Sequence, residues 1–272
     1  MNKTTKQATS FQERLPKTKN MFIPFIMSGD PTPEITVDMA LTLQESGADV
    51  LELGVPYSDP LADGPTIQEA AGRAIEQGMN IRKAMELVPK MRDRGLTIPV
   101  VLFTYYNPVL QYGLDSLFQD LKDQDIDGLL VPDIPLEESE ELKEKAHQYR
   151  IELISLVAPN SEARIKQIAQ QADGFLYCVS SLGVTGERAA LHPNIEAFLD
   201  QVKEHSNVPV AVGFGISTKE QVALLQQYAD GVIIGSKIIK LMEEEHEALR
   251  DNGQKQSALA RLQKQVTALI HG

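Results

Sequence analysis

The amino-acid sequence predicts an α/β fold, a (β/α)8 barrel with an extra N-terminal helix, in which eight parallel strands close on themselves inside a ring of helices. Three observations predict it. Eight short runs, nearly continuous in Val, Ile, Leu and Phe and too short for helices, recur along the chain as strands buried on both faces do. Helix-like segments separate them, the alternation of a parallel sheet. The residues that open the runs follow an odd-even rhythm, as a repeated strand–helix unit would, and no break in composition divides the chain. An open doubly wound sheet is the structural alternative; the rhythm favours closure, which leaves no strand edge exposed.

Residues Met1 to Asn20 mix charged and polar side chains and are expected to add a helix that closes the barrel floor. The first run, Met21–Ser28, leads to a helix over Thr32–Ser46, where Thr32 can cap, Pro33 suits the first helical position and Gly47 the stop. Ile35, Met39 and Leu43 form its inner stripe. The remaining runs are Val50–Gly54, Pro99–Tyr105, Gly128–Val131, Ile151–Val157, Gly174–Val179, Val208–Gly213 and Gly231–Ile234. Asp49, Asp127, Asp173 and Asp230 open the even-numbered runs, while Pro99 and Pro209 open the third and seventh. Gln254–Ile270 reads as a last outer helix, and residues 1–272 as a single barrel domain.

Composition bounds the function. With 26 Lys and Arg against 38 Asp and Glu, the net charge of −12 opposes phosphate backbones and anionic lipid surfaces, so an anionic ligand must be held locally. The single cysteine, Cys178, cannot form an intrachain disulfide, and no Cys/His spacing suits a metal, so no metal site is expected. Nothing at the start resembles the apolar core of a signal peptide, and no stretch approaches the ~18 apolar residues of a membrane span. A cytoplasmic location is expected.

Barrels carry their chemistry at the carboxyl ends of the strands, and there the second run is unusual. It reads LELGVPYSDPLADGP from Leu51 to Pro65. Strand alternation puts Glu52 on one face with Val50 and Gly54. A carboxyl lodged there is either satisfied by a structural ion pair or holds its proton toward neutral pH and serves in proton transfer. Asp63, which taken alone reads as an Asx turn before Gly64, lies on the loop leaving the same strand, so the two carboxyls can flank one small substrate.

Phosphate recognition is the second signal. Gly213-Phe214-Gly215-Ile216-Ser217, Gly235-Ser236-Lys237 and Gly183-Val184-Thr185-Gly186 follow the seventh, eighth and sixth runs. Glycines admit close backbone N–H contacts, and a helix starting there aims its positive end at an anion. No run contains a lysine for Schiff-base chemistry, the five histidines are scattered, and there is no G-x-S-x-G elbow. Carboxylate acid–base chemistry on a phosphorylated small molecule remains.

The stretch LELGVPYSDPLADG, Leu51–Gly64, with Pro65-Thr66-Ile67-Gln68 after it, closely resembles the signature of the tryptophan synthase α subunit. The likeness continues in Phe22–Pro31, Tyr105–Pro108, Asp133-Ile134-Pro135, Leu182–Gly186, Gly213–Ser217 and Gly235-Ser236, in order along the chain. It implies a carbon–carbon lyase that splits indole-3-glycerol phosphate into indole and glyceraldehyde 3-phosphate. Glu52 would be the general acid/base, and Asp63 the carboxylate that accepts the indole N–H. Gly186, Gly215, Gly235 and Ser236 would hold the phosphate, and Phe25, Phe103, Tyr105, Leu130, Tyr177, Phe214 and Ile234 would line the pocket. Thr185 would orient Asp63 when the Gly183–Arg188 loop closes. The resemblance further implies no cofactor in this chain and a β-subunit partner that uses pyridoxal phosphate, assembled as an α2β2 heterotetramer. Asp59, Pro60, Leu61, Asn107, Pro108 and Pro135 match the family's contact region. Ser181 stands close before the GVTG segment where some relatives carry Arg, so a loop contact made by that Arg is not expected here. Two other functions fit the same pattern: a phosphosugar isomerase on the same barrel, and a non-catalytic regulatory subunit that binds a phosphorylated ligand.

Overall fold

The structure, a computed structural model, describes residues 10–15, 20–159, 162–179, 194–213 and 215–271. Its strands are β1 (Met21–Met27), β2 (Leu51–Gly54), β3 (Val100–Phe103), β4 (Gly128–Leu130), β5 (Glu152–Val157), β6 (Leu176–Val179), β7 (Val210–Gly213) and β8 (Gly231–Ile234). They pair in sequence order, all parallel, and β8 returns to β1 through the register Met21↔Gly231 to Pro24↔Ile234, so the barrel is closed. Several strands are a residue or two shorter than the apolar runs. Pro99 and Pro209 stand just before β3 and β7, where each lacks an N–H to donate but accepts one through its carbonyl, from Leu51 at 2.9 Å and from Leu176 at 2.8 Å.

Side-chain alternation sorts the core into two layers. Ile23, Val50, Val101, Leu130, Ile154 and Ile233 point into the barrel, while Ile26, Leu51, Leu53, Leu102, Val212 and Val232 pack outward under the helices. A short helix, Phe11–Arg14, caps the interior from below: Phe11 is buried and stacks on Phe175, with ring centroids 6.4 Å apart. The floor is thus sealed with apolar surface, leaving the opposite end for chemistry.

The helix after β1 spans Pro33–Glu45, and Thr32 caps it by accepting the Ile35 N–H at 3.2 Å. Ile35, Met39 and Leu43 are buried as its stripe requires. The last helix, Lys255–His271, is tied to it where Lys255 meets Asp38 at 2.8 Å, and Arg94 meets the same carboxylate at 2.6 Å.

The aspartates that open the even strands have a common task. Asp49 accepts the Phe22 N–H (2.7 Å), Asp127 that of Val100 (2.8 Å) and Asp230 that of Val210 (2.9 Å). Each carboxylate therefore closes a strand–helix–strand unit by satisfying an amide at or beside the start of the preceding strand. Asp173 meets His147 at 3.1 Å instead. At the opposite end of β4, Asp133 accepts the Tyr106 N–H at 2.8 Å, bracing the segment that follows β3.

Candidate active site

A cavity of about 380 Å³ opens at the carboxyl ends of the strands. Glu52 and Asp63 both line it, with Phe25, Phe103 and Tyr177 on its walls and Gly215, Gly235 and Ser236 at its rim. Glu52 sits in mid-strand with the parity that sends it inward, level with Phe25 on β1 and Val101 on β3. It is 1% exposed, and its Oε1 has no hydrogen-bond partner among the described residues. Burial without a partner penalises the anion and pushes the carboxyl up to about 8, so it holds its proton at neutral pH. The structural ion-pair reading of Glu52 finds no cation at it among the described residues.

Asp63 is buried on the loop after β2, just before the helix Pro65–Glu76. Gln68 fixes that loop by donating to the Asp63 backbone carbonyl at 2.6 Å. Burial raises the carboxyl and a hydrogen bond from Tyr105 lowers it, leaving it at about 6. The two carboxyls thus differ in charge near pH 7: the one in the strand is neutral and the one on the loop is an anion.

Two glycines make room for the walls. A Cβ on Gly54 would stand 2.4 Å from the Phe25 ring, and one on Gly213 would stand 2.5 Å from the Tyr177 hydroxyl. Without side chains at these points, Phe25 turns edge-on to Phe103, with centroids 5.5 Å apart and planes at 81°, and Tyr177 reaches into the interior beside both carboxyls. Both aromatic walls are therefore written partly in glycine.

At the anion end, Gly235 and Ser236 begin the helix Ser236–Glu244. The Ile239 N–H is the first to bond back to the Gly235 carbonyl, so the amides of Ser236, Lys237 and Ile238 precede the internal ladder and can meet an anion. Ser236 is 9% exposed and Gly215 lies across the same rim.

Not every residue expected to line the pocket does so. Ile234 faces the helices, and its neighbour Ile233 lines the cavity, because inward and outward positions alternate along β8. Leu130 points into the barrel but is fully buried in the packed interior and does not reach the cavity wall. Tyr105 is not on the wall either; it is 2% exposed and meets Asp63 through its hydroxyl. Thr185, Gly186 and Phe214 lie outside the described residues. Ile154 and Leu156 of β5 also line the cavity. Alternation alone does not single them out, since each strand offers two sets, Ile154 and Leu156 against Leu153 and Ser155 on β5 and Ile233 against Ile234 on β8, and the register of the closed barrel decides which faces inward. Beyond the barrel wall the cavity continues between Ser155, Ser139, Lys143 and Arg164, a lobe with no signal in the sequence.

Asp59, Pro60 and Leu61 follow β2, Asn107 and Pro108 follow β3, and Pro135 follows β4, so all six share the face on which the cavity opens. Leu61 is 75% exposed, unusual for a leucine with no local role in packing. Among the described residues no cluster of His, Cys, Asp or Glu could hold a metal ion, and no helix is long and apolar enough to cross a membrane.

The family described as tryptophan synthase alpha chain has a sequence profile that matches residues 11–269. The chain belongs to the tryptophan synthase alpha chain family. The tryptophan synthase alpha chain of Geobacillus sp. (strain WCH70) is 56% identical over 252 residues, which cover 93% of this chain and 96% of that protein. Tryptophan synthase subunit alpha of Legionella pneumophila str. Paris superposes with a TM-score of 0.81 at 37% identity, over 93% of this chain and 94% of that one. A structure of the tryptophan synthase α2β2 complex from the hyperthermophile Pyrococcus furiosus gives 0.83 at 35% identity, over 94% and 99% of the respective chains. Such coverage carries the tryptophan synthase alpha chain assignment across the whole barrel, cavity included.

Proposed function

We propose that the cavity is where this member of the family cleaves indole-3-glycerol phosphate to indole and glyceraldehyde 3-phosphate. The observation that carries the reading is the pair of buried carboxyls lining one largely apolar cavity, Glu52 within β2 and Asp63 on the loop that leaves it, with burial raising both and a hydrogen bond from Tyr105 favouring the Asp63 anion. Glu52 gives its proton to C3 of the indole, and Asp63 accepts the ring N–H and offsets the positive charge that develops there. Glu52, now a carboxylate, takes the proton of the glycerol hydroxyl next to the ring. That oxygen's electrons form the aldehyde, the carbon–carbon bond breaks, and its electron pair restores the indole. Glu52 ends protonated as it began.

Gly215, Gly235 and Ser236 hold the phosphate with backbone N–H groups, joined by Gly186, while Phe25, Phe103, Tyr177 and Ile233 enclose the ring and glycerol chain. Thr185 and Phe214 complete the site by the same resemblance. These are proton transfers and need no cofactor from this chain; pyridoxal phosphate belongs to the partner β subunit. That partner docks over Asp59, Pro60, Leu61, Asn107, Pro108 and Pro135 in an α2β2 heterotetramer and receives the indole for tryptophan synthesis. Residues 1–272 act as one domain, in the cytoplasm.

The test is indole release from indole-3-glycerol phosphate by the purified chain, with and without the β subunit, read by absorbance. Isomerisation of a phosphosugar with no indole formed, or ligand binding with no turnover in either state, overturns the reading.

A further inference from the structure

Tyr57 lies on the loop between Glu52 and Asp63, half-buried, with its ring packed on that of Tyr105 at 5.3 Å between centroids and 32° between planes. Its hydroxyl accepts a hydrogen bond from Asn107 Nδ2 at 3.1 Å, which bridges the loop after β2 to the helix Tyr106–Tyr112 after β3. Tyr105 accepts the Ala62 N–H at 3.1 Å and is also bonded to Asp63. A phenol has one proton and two lone pairs. With the Ala62 amide already occupying the oxygen as a donor, the Tyr105 proton is left to point at the Asp63 carboxylate. The seating of the Tyr105 ring therefore bears on how well Asp63 is supported as an anion, and the Tyr57 ring packs against it.

We propose that Tyr57 is a positioning residue for Asp63: strapped by Asn107, it holds the Tyr105 hydroxyl against the carboxylate. The proposal rests on the reading of Asp63 as the group that meets the indole N–H. It also gives the docking face a mechanical hold on the site, because Asn107 lies among the proposed partner contacts and is exposed there. The other titratable groups around this arrangement are Glu52 on β2 and Tyr177 on β6, which share the cavity with Asp63, and Asp133 after β4, which faces Tyr105. Substitution of Tyr57 or Asn107 removes none of them.

The experiment is a ¹³C NMR titration of the Asp63 carboxyl, assigned by its loss in Asp63→Asn, run on the full chain beside the pH profile of indole release. Tyr57→Ala is expected to move the Asp63 titration upward from about 6 by about half a pH unit or more, with the acid limb of kcat/KM following it. Tyr57→Phe cuts only the strap, Asn107→Leu cuts the strap and an exposed bond from Gln111 at 3.4 Å that does not face Asp63, and both should give the same smaller upward movement. Their double variant should be no worse than either alone, since both remove the strap bond. If Tyr57→Ala fails to fold, the two strap variants, which keep the ring, decide. An Asp63 titration that stays in place in all variants overturns the proposal even where turnover falls. Movement in Tyr57→Ala but not in Tyr57→Phe upholds the ring and overturns the strap. A wild-type chain that releases no indole overturns the active-site reading instead, while the NMR titration still decides what Tyr57 does.

Discussion

At the scale of single residues, the proposed role of Glu52 requires it both to tolerate burial and to move protons, and the two demands can be separated. Glu52→Gln keeps the shape but cannot transfer a proton, so turnover is expected to fall by at least ~100-fold while substrate still binds, as indole release and ligand titration would report. The same variant should gain stability at alkaline pH. Glu52 titrates near 8 in the fold against an ordinary value of 4.5, so the unfolded chain sheds this proton first. Its burial costs nothing below about pH 4.5 and progressively more up to about pH 8, where the full penalty is about 5 kcal/mol at ~1.4 kcal/mol per pH unit. Urea unfolding at pH 5 and pH 8 should therefore show wild type losing several kcal/mol relative to Glu52→Gln. Equal losses in the two proteins would deny the buried proton. Asp63→Asn is expected to cut turnover by about 10²–10³-fold, because a neutral amide offsets the cationic ring poorly; comparable rates in the same assay would remove that role. Glu52 was legible because a charged residue interrupts an apolar run at a known parity. Ile233 was not chosen because the outward position next to it is equally apolar, and only the register against β1 separates them.

At the scale of elements, the rhythm of aspartates in the sequence has a hydrogen-bonding cause: each closes its unit on an amide at or beside the start of the preceding strand. The clamps differ in burial, and that should rank them. Asp127 is 4% exposed and also meets Arg92 at 2.7 Å and Arg14 at 3.3 Å, which share Asp125 as a second partner, so Asp127→Ala removes the buried one of their two carboxylates together with the Val100 amide bond and should cost about 2–4 kcal/mol. Asp230 makes the same backbone bond but pairs with the half-exposed Lys203, so Asp230→Ala should cost only about 1–2 kcal/mol. Urea unfolding of both variants checks the order, and equal losses would mean that burial of the charges is not what ranks the clamps. The positions of the aspartates were readable from the sequence. Their partners were not, since each acceptor and its amide are some 20–27 residues apart.

At the scale of the whole molecule, barrel closure gathers onto one face the loops that follow β2, β3 and β4, and with them the proposed partner contacts. Leu61, 75% exposed, is the proposed apolar anchor of that face, and Leu61→Asp is expected to weaken association with the β subunit by about tenfold or more in sedimentation experiments. Saturating β subunit should raise turnover of the wild-type chain if docking favours the competent arrangement, and an unchanged rate would argue against that coupling. By itself the sequence determined the strands, their parallel order and the two carboxyls, because these depend on short-range periodicity and on residue chemistry that clashes with its apolar surroundings. Only the tertiary structure decided which side of each strand meets the cavity, where Tyr105 sends its proton and how Tyr57 leans on it. Those contacts join segments far apart in the chain, and their geometry exists only once the barrel has closed.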